Sequence, residues 1–152
     1  MGRLKPVNLI IAITLAALIT PYSNTALQAQ SNCLGLDGHE HTDVSQAIAN
    51  LTSGEYEKFL KISDKNIHLS DDEKNNLING LKNISSSGFN QCRLIASTNI
   101  SSVIDRYLFE LKNQKGIIFF NVVAFKHQRG FPEGIMSYNI STNFSEIISN
   151  WR

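Results

Sequence analysis

The chain has 152 residues, of which 42% are hydrophobic and 18% are charged, with 14 Lys and Arg against 13 Asp and Glu. This composition excludes collagen, low-complexity and wholly disordered chains, and the length favours one globular domain. The formal net charge is +1 and the basic residues are scattered singly, so we expect no nucleic-acid partner.

The first thirty residues have the pattern of a targeting segment. Arg3 and Lys5 precede a nearly uninterrupted apolar run over 7–19, and small and polar residues follow up to Ala29. A basic start, an apolar stretch of about 7–15 residues and a small residue before the cut are typical of a secretory signal peptide. An uncleaved anchor is the less favoured alternative, because a bilayer span takes about 20 apolar residues. The sequence therefore predicts a signal peptide over residues 1–29 and an exported protein, periplasmic or extracellular, with no membrane partner after cleavage.

Both cysteines, Cys33 and Cys92, lie after this segment. Exported proteins meet an oxidising environment, and two cysteines allow one intramolecular pairing. The spacing lacks a C-x-x-C motif, which disfavours a redox or metal site. We therefore predict a structural disulfide that ties an irregular N-terminal segment, residues 30–41, to the first strand of a sheet.

A short stretch within that segment carries candidate metal ligands. Asp37, His39, Glu40 and His41 carry the carboxylate and imidazole groups that suit zinc, copper or nickel. A metal site needs three or four converging ligands with supporting hydrogen bonds, and spacing alone does not supply them. The favoured interpretation is a solvated tail, and we predict neither a metal nor a cofactor.

Apolar residues recur at helical spacing over the next part of the chain. Thr42 or Asp43 is the expected N-cap of the first helix, and Ser70 with Glu73 forms a capping box for the third. The predicted helical runs are 44–51, 55–62 and 71–84.

The period then changes from 3.6 to 2, which indicates strands. One face of the first strand should carry Cys92, Leu94 and Ala96, and the last strand should turn Met136, Tyr138 and Ile140 inward. A short final helix follows Asn143. The predicted strands are 89–98, 103–111, 117–125 and 135–140. Helices followed by antiparallel strands predict an α+β domain over residues 42–152, with N-terminal helices packed on a curved antiparallel sheet of about four strands.

The segment 47–62 contains the sequence Leu-Thr-Ser-Gly-Glu-Tyr over 51–56, between two helical stretches. It resembles the opening of small exported domains in the nuclear transport factor two-like superfamily, which have a cystatin-like α+β architecture. The resemblance implies a cone-shaped fold that often holds a pocket, rather than a particular reaction. The terminal helix departs from this pattern, because such domains commonly end on a strand.

The loop 126–134 is the best candidate for a binding surface. Lys126, His127, Arg129 and Phe131 combine potentially cationic side chains with an aromatic ring, and the loop also contains glycine and proline. Such a loop at the end of a sheet can hold an anion or meet a partner. The alternative is a solvated turn in which glycine and proline serve geometry alone.

Asp105 is the best candidate for acid–base chemistry. If it shares the inward face with Tyr107, it would be a buried carboxylate with a raised pKa. The favoured alternative is a charge on an edge strand that discourages aggregation.

The sequence contains no Gly-rich phosphate loop, no nucleophile elbow, and no Ser-x-x-Lys or His-Glu-x-x-His motif. We therefore expect an exported non-enzymatic module that binds an unknown small ligand or protein partner, and a homodimer is kept as an open alternative. The alternative is a pocket enzyme that uses Asp105, Tyr107 or His127 as acid and base.

Overall fold

The computed structural model describes residues 33–36, 41–126, 128, 130, 132–149 and 151. The predicted signal peptide and the stretch 37–40 lie outside the described residues. The elements follow in the order α1 Thr42–Ser53, α2 Tyr56–Ile67, α3 Asp71–Ile84, β1 Gln91–Ser101, β2 Ile104–Lys112, β3 Ile117–Phe125, β4 Gly134–Ser141 and α4 Phe144–Ser149. This order confirms the predicted α+β class.

Glycine and a capping box set the helix boundaries. α1 ends at Gly54, whose φ of 75° lies in the left-handed region that glycine adopts without a steric penalty. A Cβ atom on Gly54 would lie 2.8 Å from the backbone nitrogen of Gly88, so close backbone contact also requires glycine there. α3 begins with the predicted capping box, in which Ser70 and Glu73 each accept a hydrogen bond from the other's backbone N–H.

Removal of this capping box should have a measurable cost. We expect Ser70→Ala to lower the free energy of unfolding by about 1 kcal/mol, because a backbone N–H of the first turn loses its acceptor. The matched control is Ser86→Ala, at an exposed serine beyond the end of α3. Urea denaturation checks the difference, and equal midpoints for the two variants would contradict the prediction.

The sheet supplies the other half of the core. Its four antiparallel strands lie in the order β1-β2-β3-β4, so β2 and β3 are central. α1 and α2 pack on one face, where Phe59 meets Phe120 edge-to-face with ring centroids 5.7 Å apart. The largest fully buried side chains on the helices and on this face include Ile48, Leu51, Tyr56, Phe109, Leu111 and Ile118.

The second face of the sheet is covered in part by the C-terminal helix. Phe144 at the start of α4 lies against Phe119, with centroids 5.0 Å apart. Beyond the helix, the carbonyl of Trp151 accepts a hydrogen bond from Arg106 Nη1 at 3.1 Å, and the guanidinium lies 5.2 Å from the indole centroid. Leu108 on this face and Ile147 in α4 have no exposed surface. The final helix therefore closes a second, smaller apolar layer.

Two residues predicted to face the main core do not. A β-bulge at Ile95 shifts the register, so that Ala96 lies opposite Leu108 on the second face. A bulge in β4 likewise turns Ile135 inward and leaves Met136 45% exposed. The predicted boundary of the second helix was also early, since α2 continues to Ile67.

The predicted disulfide between Cys33 and Cys92 is present, with a Cα–Cα distance of 4.5 Å. It joins the N-terminal segment to β1, as the sequence predicted. Next to it, Leu34 donates its N–H to the Cys92 carbonyl at 2.9 Å and accepts from the Leu94 N–H at 2.8 Å. Covalent and hydrogen bonds therefore hold this segment against the edge of the sheet.

Candidate functional site

A buried carboxylate lies at one end of the sheet. Asp105, the second residue of β2, is 5% exposed and accepts hydrogen bonds from four side chains. The Nε2–H group of His41 donates to Oδ2 at 3.0 Å, and the Lys126 ammonium lies 3.1 Å from the same oxygen. The Tyr107 hydroxyl donates to Oδ2 at 3.3 Å, and the Asn99 amide donates to Oδ1. We call these five residues the Asp105 cluster.

Sheet register explains how these groups meet. Asn99 pairs directly with Asp105 across β1 and β2, so their side chains share a face. Ala124 pairs with Asp105 from β3, which places Lys126 just beyond the end of that strand. Tyr107 follows Asp105 by two positions and shares its face. His41 arrives from outside the sheet, as the N-cap residue of α1.

The favoured interpretation of Asp105 as an edge charge is wrong. β2 is a central strand, and Asp105 shares the inward face with Tyr107, as the alternative required. The predicted rise in the pKa of a buried Asp105 is also wrong. Burial raises the pKa of Asp105, but the hydrogen bonds from His41, Lys126 and Asn99 outweigh burial and hold that pKa below its usual value.

An ionised Asp105 fixes the roles of its neighbours. A carboxylate only accepts hydrogen bonds, so the proton in the bond with His41 resides on Nε2. The Lys126 ammonium supplies the opposite charge that a buried carboxylate needs. The cluster is therefore a satisfied network of hydrogen bonds around one anion.

His41 lies in the part of the chain that was expected to be a solvated tail. That expectation is wrong for His41, whose side chain is only 2% exposed. Asp37, His39 and Glu40 lie outside the described residues. Among the residues that the structure describes, no group of three or more His, Cys, Asp or Glu side chains could hold a metal ion.

The Asp105 cluster also anchors the candidate binding loop 126–134. The Lys126 N–H donates to the Val103 carbonyl at 2.8 Å, while its half-exposed side chain pairs with Asp105. Near the other end of the loop, a Glu133 carboxylate oxygen accepts from the Thr42 N–H at 2.5 Å. Both ends are therefore tied to the framework. His127, Arg129 and Phe131 lie outside the described residues.

A second ion pair joins the start of α1 to the end of α2, next to β4. Asp43 is buried in the first turn of α1, and both of its oxygens lie within hydrogen-bond distance of Lys65 Nζ, at 2.8 and 3.1 Å. The next residue, Asn66, donates from Nδ2 to the Ile135 carbonyl at 3.2 Å. Sequence reasoning predicted Asp43 as an N-cap and missed this pairing, which joins residues 22 positions apart.

A separate groove of about 640 Å³ lies between α2 and α3. Leu60 and Ile78 supply apolar lining, and Asp64 and Lys74 form an ion pair beside them at 2.7 Å. Because four of its charged lining residues are already in ion pairs (Glu57, Asp64, Lys65 and Lys74), we regard the end of the sheet around Asp105 as the stronger candidate site.

Comparisons add no identification to this geometry. Within the described part of the chain, no helix combines the length and the apolar character that a membrane crossing requires. The sequence matches no family model, and neither the curated proteins nor the solved structures yield a significant match.

Proposed function

We propose that this protein is a small exported, non-enzymatic module that binds an anionic ligand, or a protein partner with an acidic surface, through the loop 126–134. The observation that carries the proposal is the anchoring of both loop ends to the framework, at Lys126 by the buried Asp105 and at Glu133 by the first turn of α1. A loop whose two ends are held by a rigid scaffold is a common way to build a binding surface. His127 and Arg129 are its candidate contacts with the anion, and Phe131 its candidate apolar contact.

The disulfide supports export. Such bonds persist in oxidising compartments and are rare in the cytosol. The basic and apolar pattern of residues 1–29 supports the same proposal, as a signal peptide that is removed. Helices that precede a four-stranded antiparallel sheet are also compatible with a nuclear transport factor two-like domain, which remains part of the proposal.

The state of Asp105 disfavours the enzyme alternative. A general base needs a free lone pair near the substrate proton, whereas Asp105 already accepts four hydrogen bonds and is 5% exposed. The observation that favours an enzyme is the inward-facing His41–Asp105 pair, with atoms 3.0 Å apart and the Tyr107 hydroxyl beside it. In that version Asp105 would orient His41, and His41 would be the acid or base.

Chemical-shift titration of the folded exported chain tests the binding proposal. The probes are inorganic phosphate and an oligoglutamate peptide, which separate a small anion from an acidic protein surface. We expect shifts centred on 126–134, and we expect Arg129→Gln to weaken binding by about tenfold, because a charge-assisted hydrogen bond is lost.

The matched control is Lys115→Gln. Lys115 is an exposed cation in the turn between β2 and β3, at the opposite end of the sheet. The Lys115→Gln variant should bind both probes as the parent protein does. Shifts spread evenly over exposed lysines, equal weakening by the two substitutions, or no binding of either probe would overturn the proposal.

A further inference from the structure

The outer edge of β1 differs from the other edge of the sheet. Six consecutive residues, 97–102, are exposed, and no charged residue, proline or glycine occurs over 94–104. Proteins usually protect a sheet edge with charge, proline or a covering element, because unpaired backbone groups bind other strands. β4, at the opposite edge, is flanked by α2, and Asn66 there donates to the Ile135 carbonyl. β1 has such a neighbour at its start, where Leu34 pairs with it.

The register identifies which backbone groups of β1 point outward. Leu94 donates its N–H outward to Leu34, so Leu94 and its partner Phe109 do not exchange hydrogen bonds with each other. Pairs that exchange no hydrogen bonds between β1 and β2 recur at every second residue of β2. The pairs Ser97–Tyr107 and Asn99–Asp105 belong to this set. Ser97 and Asn99 therefore direct their N–H and C=O groups away from β2.

We propose that a second copy of this chain pairs with this edge, antiparallel and about a two-fold axis at Thr98. Ser97 of each copy then faces Asn99 of the other, and the two pairs exchange four backbone hydrogen bonds. The two Thr98 side chains lie opposite each other on the second face of the sheet. The two four-stranded sheets become one continuous sheet of eight strands.

The absence of charge around Thr98 favours a second copy of the chain as the partner at this edge. A two-fold axis places identical segments against each other, so any charge near the axis would face a like charge or lie close to one. Here the first charged residue before Thr98 on β1 is Arg93, and in this register it faces the uncharged Val103 of the second copy. Bulges at Ile95 and Ile100 bound the regular stretch, so the dimer should be weak and reversible.

Sedimentation of the folded, disulfide-bonded chain over about 10 µM to about 1 mM measures this association. We expect a reversible monomer–dimer equilibrium. Ser97→Pro should weaken the dimer by about thirtyfold, because each copy loses one outward N–H donor. Ser97→Ala is the matched control and should dimerise as the parent does, since the pairing uses the backbone.

Charge reversal at the axis tests the register independently of proline. Thr98→Lys and Thr98→Glu should each weaken self-association, whereas an equimolar mixture of the two should restore dimers. A parent chain that stays monomeric throughout, or a mixture that associates no better than its components, would overturn the proposal. A monomeric chain that instead binds an extended peptide along β1 would also overturn it.

Discussion

Replacement of Cys33 and Cys92 together by alanine is expected to lower the free energy of unfolding by about 4 kcal/mol. The bond closes a loop with a sequence separation of 59, and its loss returns that conformational freedom to the unfolded chain. A domain of this size has a net stability of about 5–15 kcal/mol, so the bond supplies a large fraction of it. Urea denaturation at neutral pH measures the difference.

Reduction of the native protein provides the matched control for this prediction. Reductant should bring the parent chain down to the stability of the double alanine variant and should leave the variant itself unchanged. Leu34 should then also lose protection of its N–H against hydrogen exchange, because its bond to the Cys92 carbonyl depends on the adjacent disulfide. If reductant left the urea midpoint of the parent chain in place, the structural role of the disulfide would be contradicted.

Asp105→Asn is expected to cost about 2–3 kcal/mol of folding free energy at neutral pH. The substitution keeps the size of the side chain but removes its charge, and it turns an amide N–H₂ group toward donors such as His41 and Lys126. The control is Glu110→Gln on the same strand. Its carboxylate pairs with Arg93 on the second face and is 24% exposed, so its loss should cost about 1 kcal/mol or less.

The effect of Asp105→Asn should depend on pH in a defined direction. The folded-state pKa of Asp105 lies below its unfolded value of about 3.9, so ionisation of this group stabilises the fold above that pH. The contribution is lost as pH falls through the folded pKa. The difference between parent and variant should therefore stay constant from about pH 7 to about pH 5 and shrink below about pH 4. A difference that instead disappeared between pH 7 and pH 5 would contradict this assignment.

Local pattern was enough to predict most of the fold. The apolar stripes of α1 and α3, the capping box at Ser70 and the alternation through Tyr107 and Phe109 depend on neighbours within a few residues. The disulfide was also predictable, because two cysteines after a predicted targeting segment leave one intramolecular pairing.

What local pattern could not supply is position within the sheet. The sequence favours an edge position for Asp105. That expectation fails because strand order follows from pairing over long separations and not from the strand's own composition. Ala96 and Met136 were assigned to the wrong face, since a single bulge reverses the alternation that follows it.

The candidate site was only half accessible to prediction. The sequence singled out Asp105, Tyr107 and Lys126, and the structure brings all three together. Sequence reasoning missed His41 as a member of the cluster, because that residue lies 64 positions before Asp105. The available signal was the position of His41 directly before the first turn of α1, where a buried side chain can reach the sheet.

Residue-resolved hydrogen exchange in Asp105→Asn tests most directly whether the Asp105 cluster anchors the loop 126–134. The amides of Lys126 and Thr42, which bond to Val103 and Glu133 at the loop ends, should lose more protection than the amides of Leu111 and Ile118 at the far end of the same strands. Glu110→Gln should show no such contrast. Equal loss of protection at both ends of the sheet, or unchanged exchange at Lys126 and Thr42, would contradict the account.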